Sequence, residues 1–403
     1  MAKKRQYGEG SVYQRASDGL WIGTLDIGWT AAGTRRRKIV SGKTEAIAKR
    51  RLRDLRLQIE RDGATDVSSK ATVKSWAEEW LRIQEGRLGP SSFNTTRSAV
   101  AKWIVPAIGH KRFDLLTPRD IRAVRDAQRR EGRAGSTQLR THSVLQSMLK
   151  AATVEGHHVP PRLLLVDAPQ KSTSDRSDMS VPQALAVLDQ ATRLPHGSRY
   201  LAALLQGTRQ GESLGMTWPE VDLDRGMWRV SWQLKALSYR IAYDRTSGFR
   251  VPAEYEARQL QGALHLVRPK SASGYRIQPL VEPMAAALRA WREVAPDSPH
   301  GLVWPDLDGG PTDNKTDDAE WYGLQEAAEV GHKAGRYYTI HEARHTTATL
   351  LLEAGVPAPV IIQIIGHSSY ASTTAYTHVN VGPAHEALSK VAERLQLVAP
   401  PAS

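Results

Sequence analysis

The sequence predicts an α+β protein of several domains, and three observations lead to this class. The chain has 403 residues, which exceeds the usual size of one domain. Its first part alternates short β-prone runs with turns, its middle part has helical periodicity alone, and its last part mixes both patterns. We therefore expect a small three-stranded sheet plus helix, an all-α helical domain, and a larger, mostly helical α+β domain.

The first domain is predicted over residues 1–64. Three β-prone runs cover residues 11–14, 20–25 and 36–40. Thr44 can cap the helix that follows them. The basic run Arg35, Arg36, Arg37 and Lys38 falls on the third strand. A charge run is usually a solvated face, but in a small basic domain it favours contact with DNA.

The second domain is predicted over residues 70–157 and the third over residues 178–403. Thr117-Pro118-Arg119-Asp120 is a typical helix start, with Thr as N-cap and Pro at the first helical position. Residues 158–177 are rich in proline and polar side chains, which predicts a linker. The tail from residue 383 to 397 has one apolar face, which predicts an amphipathic helix.

Charge is distributed unevenly along the chain. Residues 1–176 carry 34 Lys/Arg and 18 Asp/Glu, a net charge of +16, whereas residues 177–403 carry 21 and 24, a net charge of −3. The first part therefore suits a polyanion. Cysteine is absent, which excludes disulfides and thiolate zinc sites. No long apolar run or secretory signal is evident, so we expect a cytoplasmic protein without a membrane span.

Four short segments carry side chains suited to a single chemistry. They are Gly207-Thr208-Arg209-Gln210-Gly211-Glu212, Pro269-Lys270-Ser271-Ala272-Ser273-Gly274-Tyr275-Arg276, His341-Glu342-Ala343-Arg344-His345, and Gly366-His367 with Thr374-Ala375-Tyr376. Alone, each has an ordinary structural explanation, such as a surface arginine or a helix stop. Their joint occurrence favours a functional site.

Together the four segments offer a way to cleave a phosphodiester without a metal. Arg209 and Arg344 can each grip a phosphate with a planar fork of donors. His341 lies three residues before Arg344, so the two share a helix face. A tyrosine phenol, with a pKa of about 10, becomes a nucleophile only beside cations and a proton acceptor. Tyr376 is therefore the candidate nucleophile, and further donors come from Lys270 and His367.

These segments resemble the signature of the tyrosine recombinases, or phage integrase family. Members carry an Arg in a Gly-Thr-Arg-x-Gly-Glu setting, a Lys on a β-hairpin, a His-x-x-Arg, a Gly-His and then a Tyr. All five occur here in that order, with Tyr376 nine positions after His367. The resemblance covers residues 177–400.

The resemblance implies a role for each matching residue. Tyr376 attacks a scissile phosphate and forms a 3′-phosphotyrosyl bond, while Arg209 and Arg344 hold the non-bridging oxygens. The freed 5′ hydroxyl then attacks a partner duplex. The bond energy is kept, so the reaction needs no ATP, metal or cofactor.

The remaining matching residues assist this reaction in the family. His341 and His367 exchange protons and donate hydrogen bonds, and Lys270 is the acid for the leaving 5′ oxygen. Glu212 supports the site rather than entering the chemistry.

One stretch departs from the family pattern. The long segment Leu237–Leu264 precedes Lys270 and has no structural cue of its own. It could be a DNA-contacting insertion or a loop without function. Lys235 is the alternative to Lys270, although it lacks the Ser-x-Ser-Gly-x-Arg context.

The resemblance also implies domain roles and partners. The helical domain resembles a core-binding domain, and the first domain resembles the arm-type DNA-binding domain of long phage integrases, which favours an integrase over a simple resolvase. The expected partners are double-stranded DNA attachment sites, three further protomers in a homotetramer, an excision factor and a DNA-bending host protein. Strand exchange would pass through a Holliday junction, in a bacterial cytoplasm and on nucleoid DNA, and the tail helix would dock on a neighbouring protomer.

Two other functions compete with this interpretation. His341-Glu342-Ala343-Arg344-His345 matches the H-E-x-x-H motif of zinc metallopeptidases, in which two histidines bind zinc and the glutamate is the general base. That motif leaves Arg209 and Tyr376 unexplained, and no third ligand follows at the usual spacing. A DNA-binding regulator that does not cut DNA is the other alternative.

Overall fold

A computed structural model describes residues 10–29, 34–62, 71–171, 175–269, 274–366 and 382–397. The chain forms two compact units, residues 1–172 and residues 173–403. Both helices and small sheets are present, as expected for an α+β protein.

The first unit begins with an antiparallel sheet of three strands. They are β1 (Ser11–Gln14), β2 (Trp21–Trp29) and β3 (Arg35–Gly42), in the order β1-β2-β3. Helix α1 (Glu45–Asp62) packs on one face of this sheet. A Cβ on Gly23 would lie 3.3 Å from the Cβ of Leu52 and 2.9 Å from Val40, so only glycine allows this close approach. The small sheet and helix predicted from the sequence are confirmed.

The rest of this unit is helical. Its helices are α2 (Val73–Glu85), α3 (Pro90–Ala99), α4 (Val105–Ile108), α5 (Pro118–Arg130) and α6 (Gly135–Val154). A π-helical turn, Val100–Ile104, joins α3 to α4. Thr117 and Asp120 form a capping box at the start of α5, as the sequence predicts. The Trp76 indole is buried and donates to the carbonyl of Met148 (3.0 Å).

The predicted linker is partly ordered against this helical core. Val159 and Leu163 are buried and pack with the core of the helical region. On the far side of the linker, Ser177 donates its backbone N–H to Glu342 (3.2 Å), within the second unit. Both ends of the predicted linker therefore contact the unit next to them.

The second unit is mostly helical. Its helices are α7 (Val181–Ala191), α8 (Ser198–Leu204), α9 (Gln210–Leu214), α10 (Glu282–Arg292), α11 (Asn314–Ala327), α12 (Ile340–Glu353), α13 (Ala358–Ile365) and α14 (Gly382–Arg394). Most of them surround one apolar core.

Two small antiparallel sheets lie in this unit. Their strands are β4 (Val221–Asp222), β5 (Met227–Val230), β6 (Gln233–Ala236), β7 (Ala257–Gln261), β8 (Leu264–Val267) and β9 (Arg276–Pro279). The sheet orders are β4-β5-β9 and β6-β8-β7. The unassigned segment 237–264 thus contains β7, and an isolated bridge joins Tyr239 to Phe249. This segment is structured and extends the sheet that precedes Lys270 in the sequence.

The tail forms α14, as its apolar face predicts. Its buried side chains pack with α12 and α13 of the same chain, and they are Ala384, Ala387, Leu388, Val391 and Ala392. In this structure the apolar face of the tail helix is therefore covered by its own unit. Among the described residues, no helix combines the length and apolar character needed to cross a bilayer.

Candidate active site

Arg209, the first predicted catalytic residue along the chain, is the N-cap of α9. The backbone N–H of Arg209 donates to Glu212 Oε2 (3.0 Å), and its Nη1 donates to Glu212 Oε1 (2.5 Å). Gly207, just before it, has φ +58°, and a Cβ there would lie 2.8 Å from Ile365. Glycine therefore allows the tight turn that brings Arg209 against the end of α13.

The carboxylate of Glu212 is fully buried and is surrounded by arginines. Its second partner is Arg276 on β9, whose Nη1 and Nη2 donate to Oε1 (3.1 Å) and Oε2 (2.8 Å). Burial raises the pKa of Glu212, but the charges of Arg276, Arg209 and Arg344 outweigh this effect and lower it to about 2. Glu212 is therefore ionised at neutral pH and balances part of the positive charge of the site.

Arg344 is the second predicted phosphate-binding arginine, and it lies on α12. Its side chain is 2% exposed, and its Nη1 donates to the carbonyl of Gly207 (2.7 Å). Its Nη2 donates to the carbonyl of Ile365. Burial and the nearby charge of Arg209 lower its pKa well below the ordinary value. The buried Nε has no hydrogen-bond partner among the described residues, so an acceptor such as a phosphate oxygen would satisfy it.

The C-terminal end of α13 gathers three arginines. Three consecutive carbonyls accept hydrogen bonds there, from Arg276 at Ile364 (3.1 Å), from Arg344 at Ile365 and from Arg209 at Gly366 (2.5 Å). The helix ends at Gly366, which has φ +67°. These last carbonyls have no partners within the helix and carry its negative dipole end, so guanidinium groups are favoured there.

His341 lies one turn before Arg344 on α12. Burial, followed by the influence of His345 and nearby arginines, lowers the pKa of His341 to about 4. The imidazole is therefore neutral at pH 7 and can accept a proton. Its ring lies 4.9 Å from that of His345, nearly edge-on at 79°. The predicted placement of His341 and Arg344 on one helix face agrees with the structure.

Glu342 has a structural task that differs from that of a peptidase base. Its side chain is fully buried, and its two oxygens accept from Arg336 (2.8 Å each). The backbone N–H groups of Thr339 (2.8 Å) and Ser177 also donate to it. Burial opposes ionisation, but these donors lower the pKa of Glu342 to about 2. The carboxylate thus caps α12 and has no oxygen free to activate a water.

Three predicted site residues lie outside the described part of the chain: Lys270, His367 and Tyr376. Their roles stay predictions. The alternative lysine, Lys235, lies on β6, opposite His265 of β8.

The predicted DNA-contacting run lies on β3. Arg37 donates its Nε to Asp26 (2.7 Å), and Arg35 approaches the same carboxylate (3.8 Å). Lys38 pairs in register with the buried Leu25, whereas Arg37 pairs with Asp26. Because side chains alternate along a strand, Arg37 and Lys38 point to opposite faces. The backbone of Arg36 lies on this strand as well.

The sequence alone predicts no role for Arg276. In the Ser-x-Ser-Gly-x-Arg pattern it is only part of the context of Lys270. A signal was nevertheless present, because Arg276 and Gln278 alternate along β9 on one face, and both are buried in the structure. A charged residue in a buried strand position is rare without a charged partner.

Comparison with known proteins agrees with this arrangement. Residues 254–382 match the model of the phage integrase family, and residues 72–127 match that of the phage integrase N-terminal SAM-like domain. The chain is 25% identical to an integrase of Saccharopolyspora erythraea, over 92% of this chain and 93% of the relative.

Solved structures show the same fold. The Tn1549 transposon integrase in complex with transposon right-end DNA has a TM-score of 0.61 at 18% identity, over 81% of this chain and 99% of that one. A lambda integrase tetramer bound to a Holliday junction has a TM-score of 0.54 at 17% identity, over 91% of this chain and 97% of that one. The chain therefore carries a phage integrase family domain and a phage integrase SAM-like domain, together with signature residues in the order found in tyrosine recombinases.

Proposed function

We propose that the chain is a site-specific DNA recombinase that cleaves and rejoins DNA strands and integrates a phage or other mobile element. The observation that carries this proposal is the convergence of Arg209 and Arg344 on Glu212 and the end of α13. Two guanidiniums fixed in this way suit the two non-bridging oxygens of one phosphate, because fixed donors stabilise developing charge without reorganising.

The proposed reaction starts with attack of the Tyr376 oxygen on the scissile phosphorus. A 3′-phosphotyrosyl bond forms and the bond to the 5′ oxygen breaks, so the number of phosphoester bonds is unchanged. His341 is neutral and can accept the phenolic proton, and His367 donates to the phosphate. Lys270 supplies the proton to the leaving 5′ oxygen.

We propose that four protomers act on two DNA attachment sites and exchange strands through a Holliday junction. The relative that binds such a junction as a tetramer supports this stoichiometry. An excision factor and a DNA-bending host protein are the further partners we propose. The site of action would be the bacterial cytoplasm, on nucleoid DNA.

Cleavage is tested with nicked duplexes that trap the covalent intermediate. A randomised DNA pool is incubated with the protein in EDTA, and DNA that stays bound after denaturation is sequenced to identify the core site. On that site we expect a covalent adduct with the wild type and none with Tyr376→Phe, which should still bind DNA because only the nucleophilic oxygen is removed.

The same assay separates the alternatives. A wild type that binds the site but forms no adduct would be a DNA-binding regulator. Peptidase activity that EDTA abolishes would instead support the zinc interpretation of His341 and His345.

We also propose the division of labour among the domains. Residues 1–64 would bind arm-type sites, residues 70–157 would bind core sites, residues 158–177 would link them to the rest, and residues 178–403 would hold the catalytic centre. The basic strand β3 supports the first assignment, with Arg35, Arg36, Arg37 and Lys38 as DNA contacts.

A truncation tests the arm-type assignment. Deleting residues 1–64 should spare core-site binding and reduce integration, because only the bridge to distant sites is lost. Core binding is measured by gel shift and integration by a two-plasmid assay. Full integration by the truncated protein would contradict the assignment.

A further inference from the structure

Arg276 is a third arginine in the active site, and each of its three side-chain nitrogens donates a hydrogen bond to another group of the protein. Nη1 and Nη2 donate to the two oxygens of Glu212. Nε donates to the carbonyl of Ile364 (3.1 Å) and to Gln278 Oε1 (3.2 Å). The residue is also buried, at 9% exposure. Arg276 is therefore arranged to hold protein groups rather than a substrate.

Glu212 is shared unequally by its two arginine partners. Arg276 takes both carboxylate oxygens with a bidentate pair, whereas the side chain of Arg209 reaches Glu212 through Nη1 alone. A guanidinium that faces a carboxylate freely tends to pair with both oxygens. Because Arg276 occupies one side of each oxygen, Arg209 keeps a single contact and stays 34% exposed.

Gln278 fixes Arg276, the partner of Glu212, from a second side. Gln278 accepts from Arg276, and it donates to the backbone carbonyl of Gln206 (3.0 Å). Gln206 directly precedes Gly207, whose carbonyl accepts from Arg344. Arg276 thus lies between the turn before Arg209 and the end of α13, and it contacts neither Arg209 nor Arg344 in any hydrogen bond of the described residues.

We propose that Arg276 is a positioning residue that acts through Glu212 on Arg209. It holds the carboxylate on the buried side, so that Glu212 orients the Arg209 guanidinium through one side-chain contact and does not sequester it from the scissile phosphate. This inference rests on the proposed recombinase function.

The proposal has a consequence that a structural role alone would not produce. Without Arg276, both oxygens of the buried Glu212 carboxylate would be open to Arg209, and the Arg209 guanidinium would pair with both of them. Arg209 would then be withdrawn from the phosphate. Removing the charge of Glu212 in the same molecule should release Arg209, so the second substitution should restore activity that the first one removed.

The test compares rates of covalent adduct formation on the selected nicked duplex, in single turnover. The full-length variants are Arg276→Met, Glu212→Gln and the double variant, with Arg193→Met, at an exposed arginine of the same unit, as the matched control. We expect Arg276→Met to be slower by about 100-fold, the effect of losing one preorganised donor to the reacting phosphate. DNA binding should be unchanged, and the double variant should be about tenfold faster than Arg276→Met, since coupled residues are not additive.

Each outcome decides the proposal. It is overturned if Arg276→Met cleaves like Arg193→Met, or if the double variant is as slow as the product of the two single effects. If Arg276→Met does not fold, the double variant is compared with Glu212→Gln. Equal rates support the proposal, because Arg276 then has no carboxylate charge to hold, and a folded double variant that is much slower than Glu212→Gln overturns it. Failure of the wild type to form any adduct would instead refute the recombinase function itself.

Discussion

The buried carboxylate of Glu212 gives a prediction whose magnitude follows from the structure. Substituting Glu212 with Gln keeps the size of the side chain and removes its charge. The pKa of Glu212 falls from an ordinary 4.5 to about 2, because its arginine partners outweigh the cost of burial. Each pKa unit corresponds to about 1.4 kcal/mol, so the charged form stabilises the folded state by about 3 kcal/mol. Loss of one partner from a buried ion pair costs a similar amount, about 3–5 kcal/mol.

The sign of the pH dependence follows from the lowered pKa. Stability from a carboxylate whose pKa is lowered in the folded state is present above pH 4.5 and is lost as the pH falls towards 2. The destabilisation caused by Glu212→Gln should therefore be about 3 kcal/mol at neutral pH and should shrink in acid. Hydrogen exchange of peptides from residues 173–403, measured in increasing urea on the full chain, gives the free energy of unfolding of this unit.

The control for this measurement is Glu293→Gln, an exposed glutamate at the end of α10. It should change the free energy of unfolding by less than about 0.5 kcal/mol. A destabilisation by Glu212→Gln below about 1 kcal/mol at neutral pH would refute the argument, because a buried pair loses more than that. An effect that is equal at neutral and acid pH would refute it as well.

Two further substitutions test other parts of the site. Arg344→Lys keeps the charge, but a lysine cannot donate hydrogen bonds to the carbonyls of Gly207 and Ile365 and to a phosphate at the same time. Adduct formation should therefore slow by about 100- to 1000-fold, with DNA binding retained. A rate near that of the wild type in single turnover would contradict the assigned contacts. The pKa of His341 is lowered from 6.5 to about 4 in the folded protein, so between these pH values the unfolded chain binds one more proton and stability falls as the pH falls. His341→Asn removes this titration. It should therefore flatten the dependence of the unfolding free energy on pH between 6.5 and about 4. Urea titrations at several pH values measure this slope, and an unchanged slope would show that His341 does not titrate as the structure indicates.

Local sequence signals predicted a large part of this fold. The capping residues of α5 and the three-residue spacing of His341 and Arg344 depend on neighbours within one helical turn, and the structure agrees with both. The tail helix α14 was evident from its apolar face for the same reason.

Contacts between distant residues were beyond such signals. Glu212 meets Arg276 across 64 residues of sequence, and Arg344 meets the Gly207 carbonyl across 137. No periodicity in the sequence encodes these pairs. Arg209 and Arg344 could therefore be identified from the sequence, but the hydrogen bonds around Glu212 could not. Strand β7, with the sequence Ala-Arg-Gln-Leu-Gln, was missed because its two apolar residues lie three positions apart and give no alternating pattern.

The bond between Ser177 and Glu342 has a mechanical consequence. Just after it in the chain, the backbone N–H of Met179 donates to Thr346 Oγ1 (2.9 Å), one further turn along α12. The polypeptide thus enters the second unit tied at two points to the helix that carries His341 and Arg344. A pull on the chain before Ser177 would load the ion pair of Asp175 with Arg336 (3.3 Å) and, through Glu342, the first turn of that helix. Tension in this part of the chain would therefore reach the turn of α12 that carries His341.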